Sequence, residues 1–392
     1  MNRSRTVLLV VSLALVVPIL AGTLLAASSR EDDSTDSLYK YLAVFTETLT
    51  RVRENYVDPP DVDQLLVGAL DGATDALDPF SLYVPPEAVD RFVATRGGGL
   101  PGGLLLLKEH GVMYVAGAPA ESAAGRAGLR IGDVVAEIGG KSTRVMPLWQ
   151  AQQMLAAAGV ESVDLKVIRF GEMRSVSLAL ARYDPPVPTL REVRGVPVLR
   201  IAGFASGTGT AVERALAELT RQGQGRLLLD LRGTLTGDAE VAYRVAGLFA
   251  RGEIGSLVRR GEKADTFSGK ATPAWQGKIG LLVDRGTLGA AEVLASVLKQ
   301  KASARLIGER TFGYAGHQEM VELSTGGRLL YTDAFYSGPD GKLLRGSLIP
   351  DVRVEDFSFG EPEGEAPSDK DPILDRGIEV LLAEEPAAAQ AA

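Results

Sequence analysis

The sequence predicts a multidomain α/β protein of the α+β kind, with a helical N-terminal segment, a small strand-rich domain and a larger α/β core. Three observations predict it. Lys278 to Val283 is a short, nearly all-apolar run, as a strand buried on both faces should be. It stops at Asp284-Arg285-Gly286. From Ala290 to Lys301 the apolar residues Val293, Leu294, Val297 and Leu298 then fall at helical spacing, with Lys299 and Lys301 where cations suit the helix dipole. Leu306-Ile307 reads as the next strand, whereas Ser37 to Phe92 carries only helical periodicity.

Length and composition bound the function. The chain of 392 residues predicts two or three domains with ample core. A net charge of −8, with no basic cluster beyond Arg259-Arg260, argues against a nucleic-acid partner. The absence of cysteine excludes disulfides, thiolate metal sites and a cysteine nucleophile, and leaves His110 and His317 as the imidazoles. No cofactor or metal is expected.

In chain order, Asn2-Arg3-Ser4-Arg5 is a basic start, followed by 22 uncharged residues from Thr6 to Ala27. As a helix this stretch would reach roughly 33 Å, enough to span a bilayer. Residues 1–36 therefore read as an N-terminal membrane anchor plus linker, or as a signal peptide cleaved near Leu25-Ala26-Ala27. Either way the rest of the chain is expected to be extracytoplasmic, in the periplasm or cell envelope. Residues 37–95 follow as the helical segment. Tyr41, Leu42, Phe45, Leu49 and Val52 make one core stripe, and Leu65, Leu66, Ala69 and Leu70 a second.

Residues 96–183 alternate short apolar runs with turn residues. Strands are expected at Leu104 to Leu107, Val112 to Ala116 and Val163 to Arg169, and a helix at Trp149 to Ala158. In the core, residues 184–356, Val196 to Ile201 is a strand, Phe204 and Ser206 lie in a turn, and Thr210 to Arg221 is a helix carrying Val212, Leu216 and Leu219 inward. Arg226 to Leu231 is a buried strand leading into the loop Asp230 to Gly237. Gln318 to Leu323 and Arg328 to Tyr336 form a hairpin. Residues 357–382 are an acidic linker and a closing helix, Pro372 to Leu382, and residues 383–392 are a tail.

Two sets of motifs resemble known families. Ala127-Gly128-Leu129-Arg130-Ile131-Gly132-Asp133-Val134-Val135 resembles the A-G-L-x-x-G-D-x-I signature of PDZ domains. Such domains add a peptide as an extra strand and collect its carboxylate on loop N–H groups. The resemblance implies a peptide site at Gly102, Gly103, Leu104, Leu105 and Leu106, with glycine making the loop from Gly98 flexible enough to form a nest. An alternative is a PDZ domain used only for internal packing.

The stretch Gly286-Thr287-Leu288-Gly289-Ala290-Ala291-Glu292-Val293, followed by Gly308-Glu309-Arg310-Thr311-Phe312-Gly313-Tyr314-Ala315-Gly316-His317-Gln318, resembles the C-terminal processing peptidases, or tail-specific serine proteases. That family has G-S-A-S-A-S-E-I and then G-E-x-T-F-G-K-G-x-x-Q, with serine as nucleophile and lysine as base. Segments around Val52 to Val57, Leu77 to Tyr83 and Gly346 to Asp351 also match. The resemblance implies a crotonase-like, ClpP-like core with an inserted PDZ domain. Position by position, Gly289 stands where the family has its nucleophile, Tyr314 where it has lysine, and Gln318 matches its glutamine. In the loop Asp230 to Gly237, matched to D-L-R-x-N-P-G-G, Gly237 agrees while Thr234, Leu235 and Thr236 differ; backbone N–H groups there help bind the oxyanion in the family.

Glycine has no atom to attack a carbonyl. A phenol with a reference pKa near 10 is neutral at pH 7, so Tyr314 reads as an aromatic plug in the space of a lysine stem. Two functions follow from the resemblance. One is a pseudoprotease that binds polypeptide C-termini or envelope partner proteins. The other is an active serine-type endopeptidase with a shifted nucleophile such as Thr287. A third reading is a scaffold whose PDZ groove stays empty.

Overall fold

The structure, a computed structural model, describes residues 39–96, 99–157, 159–354 and 371–383. The expected N-terminal anchor or signal, the acidic linker and the tail beyond residue 383 lie outside the described residues. No described helix is long and apolar enough to cross a membrane. The chain divides into two compact units, Met1–Ala69 and Leu70–Ala392. Residues 39–55 of the first form a helix, yet its apolar stripe is not a core stripe: Tyr41 is 70% exposed, Leu42 50% and Phe45 39%. Periodicity there marks an apolar face without saying what covers it.

The expectation of helix from residue 37 to 92 fails at one point. Leu82–Val84 is a fully buried strand, between the helices Val62–Asp75 and Pro86–Arg96. Pro79 ends the preceding helical pattern, and Leu-Tyr-Val pairs antiparallel with Arg328 to Leu330 of the hairpin.

The strand-rich domain is a sheet in the order Leu105–Glu109, Val112–Gly117, Val134–Ile138, Ser162–Arg169, Glu172–Ala179, with Lys141–Ser142 on the third strand. The expected groove helix is Leu148–Leu155. The chain enters and leaves through a ribbon, Leu100–Pro101 on Arg182–Tyr183. Asp133, 2% exposed, holds the turn as anticipated: Oδ2 accepts from Arg130 N and its carboxylate pairs with Arg169 at 2.6 Å.

The core sheet runs Thr189–Val193, Val196–Arg200, Arg226–Asp230, Lys278–Val283, Arg305–Gly308, Val352–Arg353, and every pair except the first is parallel. Alternation explains the apolar runs. Leu227, Leu229, Leu281 and Val283 pack with the helices Thr208–Arg221, Ala239–Ala246 and Ala290–Lys301 on one face. Leu228 and Leu282 meet Ile373, Leu374, Ile378 and Leu381 of the helix Pro372–Leu382 on the other. Each such side chain contributes about 1.5–3 kcal/mol on burial. A second, antiparallel sheet joins Leu82–Val84, Arg328–Tyr336, Glu253–Arg259 and Asp265–Ser268, with Gly316–Glu322 completing the expected hairpin.

Candidate functional site

Strand Lys278–Val283 ends at Asp284, and the turn to Gly289 delivers the helix Ala290–Lys301. Gly289 has φ +58° and ψ −109°, left-handed backbone that glycine adopts without a Cβ penalty. Glu292, 1% exposed, fixes this bend. Its carboxylate accepts from Gly289 N at 3.1 Å, Gly313 N at 2.6 Å, Tyr314 N at 2.9 Å and the Thr311 hydroxyl. Burial pushes its pKa up, against those four donors. One carboxylate therefore locks the elbow to the loop that carries Tyr314.

Beside Gly289 lies a cavity of about 460 Å³, bordered also by Gly237, Asp238, Arg259, His317 and Gln318. Among the described residues its lining contains no serine, threonine, cysteine or lysine. Tyr336 contributes a phenol, and burial pushes its pKa up to about 12. Gly237 keeps a glycine-only backbone, φ +137°, bridged to Phe204; a Cβ there would fall 2.5 Å from Phe204 N. Thr236, where the matched pattern has glycine, is not among the residues at positive φ.

Thr287 is not placed as a nucleophile. It is fully buried; its hydroxyl donates toward Leu231 O and Asp284 Oδ1, each at 3.1 Å, and accepts from Asp284 N at 3.0 Å. These bonds fasten the strand end to the neighbouring loop. The sequence reading missed this because threonine in a turn looks the same whether it faces solvent or pins a loop. Ser296 is equally buried, 1% exposed, against Gln300.

Tyr314 fills the space between the hairpin and the residue 80 turn. Its ring stacks on Phe80 and meets Phe335 edge-on, and its hydroxyl bonds to Thr332. Burial pushes the phenol pKa upward, away from any role as a base at neutral pH. Gln318 points its amide at Phe80 O, 2.9 Å away.

A pair that the sequence reading did not assemble borders the same cavity: His317 Nδ1 lies 2.6 Å from Asp333 Oδ1, and Arg259 Nε lies 3.1 Å from Asp333 Oδ2. The signal was available, since the hairpin register sets His317 opposite Ala334, next to Asp333. No group of three or more described His, Asp or Glu residues is placed to hold a metal.

The loop Asp230 to Gly237 is tied to both domains. Arg200 Nη1 donates to Asp230 O and Thr234 Oγ1, while its Nη2 reaches Glu121 Oε1 in the strand-rich domain at 3.2 Å. Burial alone would raise Asp230, but the Arg232 guanidinium outweighs it and holds the carboxyl below its usual range. Arg232 also binds Asp371 at the start of the closing helix.

The loop at Gly102 differs from the expected nest. Gly102 N donates to Ala181 O, Gly103 N to Leu100 O and Leu104 N to Pro101 O, all within 3.0 Å. These three amides are engaged inside the protein, while Leu105 and Leu106 run on into the strand Leu105–Glu109. Glycine is needed at residue 103 for a packing reason, because a Cβ would fall 2.2 Å from Ser122 Cβ.

Comparison with known proteins agrees with this geometry. Residues 195–354 match peptidase family S41 and residues 114–169 match the PDZ domain. The chain thus carries a peptidase family S41 domain and a PDZ domain, and it is similar to carboxy-terminal-processing proteases. It is 29% identical to the carboxy-terminal-processing protease of Bartonella bacilliformis over 88% of this chain and 84% of that one. Identity is 26% to a CtpA-like serine protease of Staphylococcus aureus, over 89% and 71% of the two chains. Among solved structures, the photosystem II D1 C-terminal processing protease superposes with a TM-score of 0.64 at 25% identity, covering 80% of this chain and 92% of that one.

Proposed function

We propose that this chain is a non-catalytic member of its family, a pseudoprotease that binds polypeptide C-termini or envelope partner proteins on the extracytoplasmic side of a membrane. The observation that carries the reading is the lining of the cavity at Gly289, which offers no serine, threonine, cysteine or lysine among the described residues. The loss is coherent, since the nucleophile position lacks a side chain and the base position holds a stacked phenol. Localisation and partner follow from the basic start and apolar stretch of residues 1–36 and from the PDZ domain. The test pairs a fluorophosphonate probe with a cleavage assay on tailed peptides. Absence of both labelling and turnover is expected, and turnover by the purified chain would overturn the proposal.

One observation favours a second reading, residual hydrolysis, besides the names of the relatives. With Thr287 buried, one group beside the cavity able to take a proton from water is His317, oriented by Asp333. Turnover abolished by His317→Ala but unchanged in Thr287→Ala would establish it.

A further inference from the structure

A second cavity, of about 550 Å³, opens at the carboxyl ends of the parallel core strands. Arg200 and Asp230 end two of these strands, and Asp284 and Glu309 directly follow two more. The strand-rich domain borders it through Pro119, Glu121 and Ile131. Asp284 stands where three parts of the molecule touch. A Cβ at Gly286 would fall 2.9 Å from Gly233 Cα and 3.2 Å from Ile131 Cδ1, and one at Gly117 would fall 2.3 Å from Leu235 Cδ2. The turn after Asp284, the loop Asp230 to Gly237 and the strand-rich domain are therefore packed directly on one another.

One carboxylate oxygen joins the turn to the loop. Asp284 Oδ1 accepts from Gly233 N at 2.9 Å and from the Thr287 hydroxyl at 3.1 Å. Among the described residues no cation forms an ion pair with Asp284, because the charges that face it are committed to one another. From the loop, Arg232 pairs with Asp230 and with Asp371 of the closing helix. From its own turn, Arg285 pairs with Glu309, and Arg200 pairs with Glu121 of the strand-rich domain. Arg130 of that domain and Arg191 also border the cleft. An enclosed acid without a cation of its own favours its neutral form. Burial accordingly pushes the Asp284 carboxyl above its ordinary 3.8, against the pull of Gly233 N–H, Arg232 and Thr287 and with the help of Asp230.

We propose that Asp284 is a proton-operated clasp: with its proton it holds the loop Asp230 to Gly237 against the turn that leads into the elbow, and on losing the proton it lets that loop part. Opening the contact returns the carboxyl to water. A group that binds its proton more tightly when closed gives the proton up on opening, so opening becomes easier as pH rises through the closed-state value. Gly237, at the end of the same loop, borders the cavity at Gly289, and Arg200 ties Thr234 of the loop to Glu121. Release therefore shifts one wall of that cavity and loosens the seat of the strand-rich domain, whether or not the chain cuts peptides.

The test is hydrogen exchange on the full chain across the pH range above 3.8, corrected for the intrinsic rate at each pH. In the wild type, protection of residues 231–237 should fall as pH rises, by at most about 10-fold per pH unit for a single proton. Asp284→Asn keeps an oxygen acceptor and cannot ionise, so its protection there should be independent of pH. Gly313 and Tyr314, whose amides Glu292 holds, give the internal reference and should respond alike in both chains. Asp284→Ser, which also keeps an oxygen, takes the place of Asp284→Asn if that variant does not fold. Wild-type protection that stays flat or rises with pH overturns the proposal, and so does a slope that survives removal of the carboxyl.

Discussion

Tyr314 and Phe80 stack with ring centroids 4.5 Å apart and planes 24° apart, closing the space between the hairpin and the residue 80 turn. The contact joins the loop after the elbow to the turn before Leu82–Val84. The ring, more than the hydroxyl, holds the two together.

Tyr314→Ala should therefore cost about 2–3 kcal/mol, below the ~3–5 kcal/mol of a fully buried aromatic site because Tyr314 is half-buried. Tyr314→Phe loses the hydroxyl's interactions with Thr332 and Asp78 and should cost about 0.5–1.5 kcal/mol. Denaturant unfolding of both variants checks this, and equal losses would refute the stacking role.

Gly289→Ser places a side chain at φ +58°, which should cost about 1–3 kcal/mol of stability. Space is not the obstacle, because the nearest atom to a Cβ there is Tyr314 O at 3.8 Å. The single variant should remain unlabelled by fluorophosphonate. Gly289→Ser combined with Tyr314→Lys should become labelled, and silence from the double variant would mean that more than these two positions has drifted.

Thr287→Val should lower stability by about 1–3 kcal/mol, because Asp284 N is left without its acceptor in a buried turn. Peptide affinity should not change. A variant as stable as wild type would contradict the pinning role.

Acid stability should depend on Arg232. Asp230 has an ordinary pKa of 3.8 and a lower one in the fold, so its contribution is present above 3.8 and disappears as pH falls through the folded value. Arg232→Ala leaves burial to raise Asp230, so acid unfolding should begin at higher pH. An acid titration followed by the fluorescence of buried Trp275 reports this, and an unchanged midpoint would count against it.

Much of the fold was legible because its signals are local. The apolar run at Lys278 to Val283, the helical spacing from Ala290 and the turn residues at Gly128 and Gly132 each determine their own conformation. Leu82–Val84 escaped because three residues set no period, and their strand exists only through pairing with Arg328 to Leu330. At the site, the absence of a side chain at residue 289 and the phenol at residue 314 could be read from single positions. The roles of Thr287 and of the Gly102 loop could not, because a hydroxyl or an amide is committed by partners far along the chain, such as Leu231 and Ala181. The His317–Asp333 pair was hidden for the same reason.

Arg200 answers at once to Glu121 in one domain and to Thr234 in the other. It links the two, so a swing of the strand-rich domain would either break these bonds or pull on the residue 230–237 turn. A molecule captured on one side therefore has a mechanical route to the other, and hydrogen exchange at that turn would register its arrival even in a chain that cuts nothing.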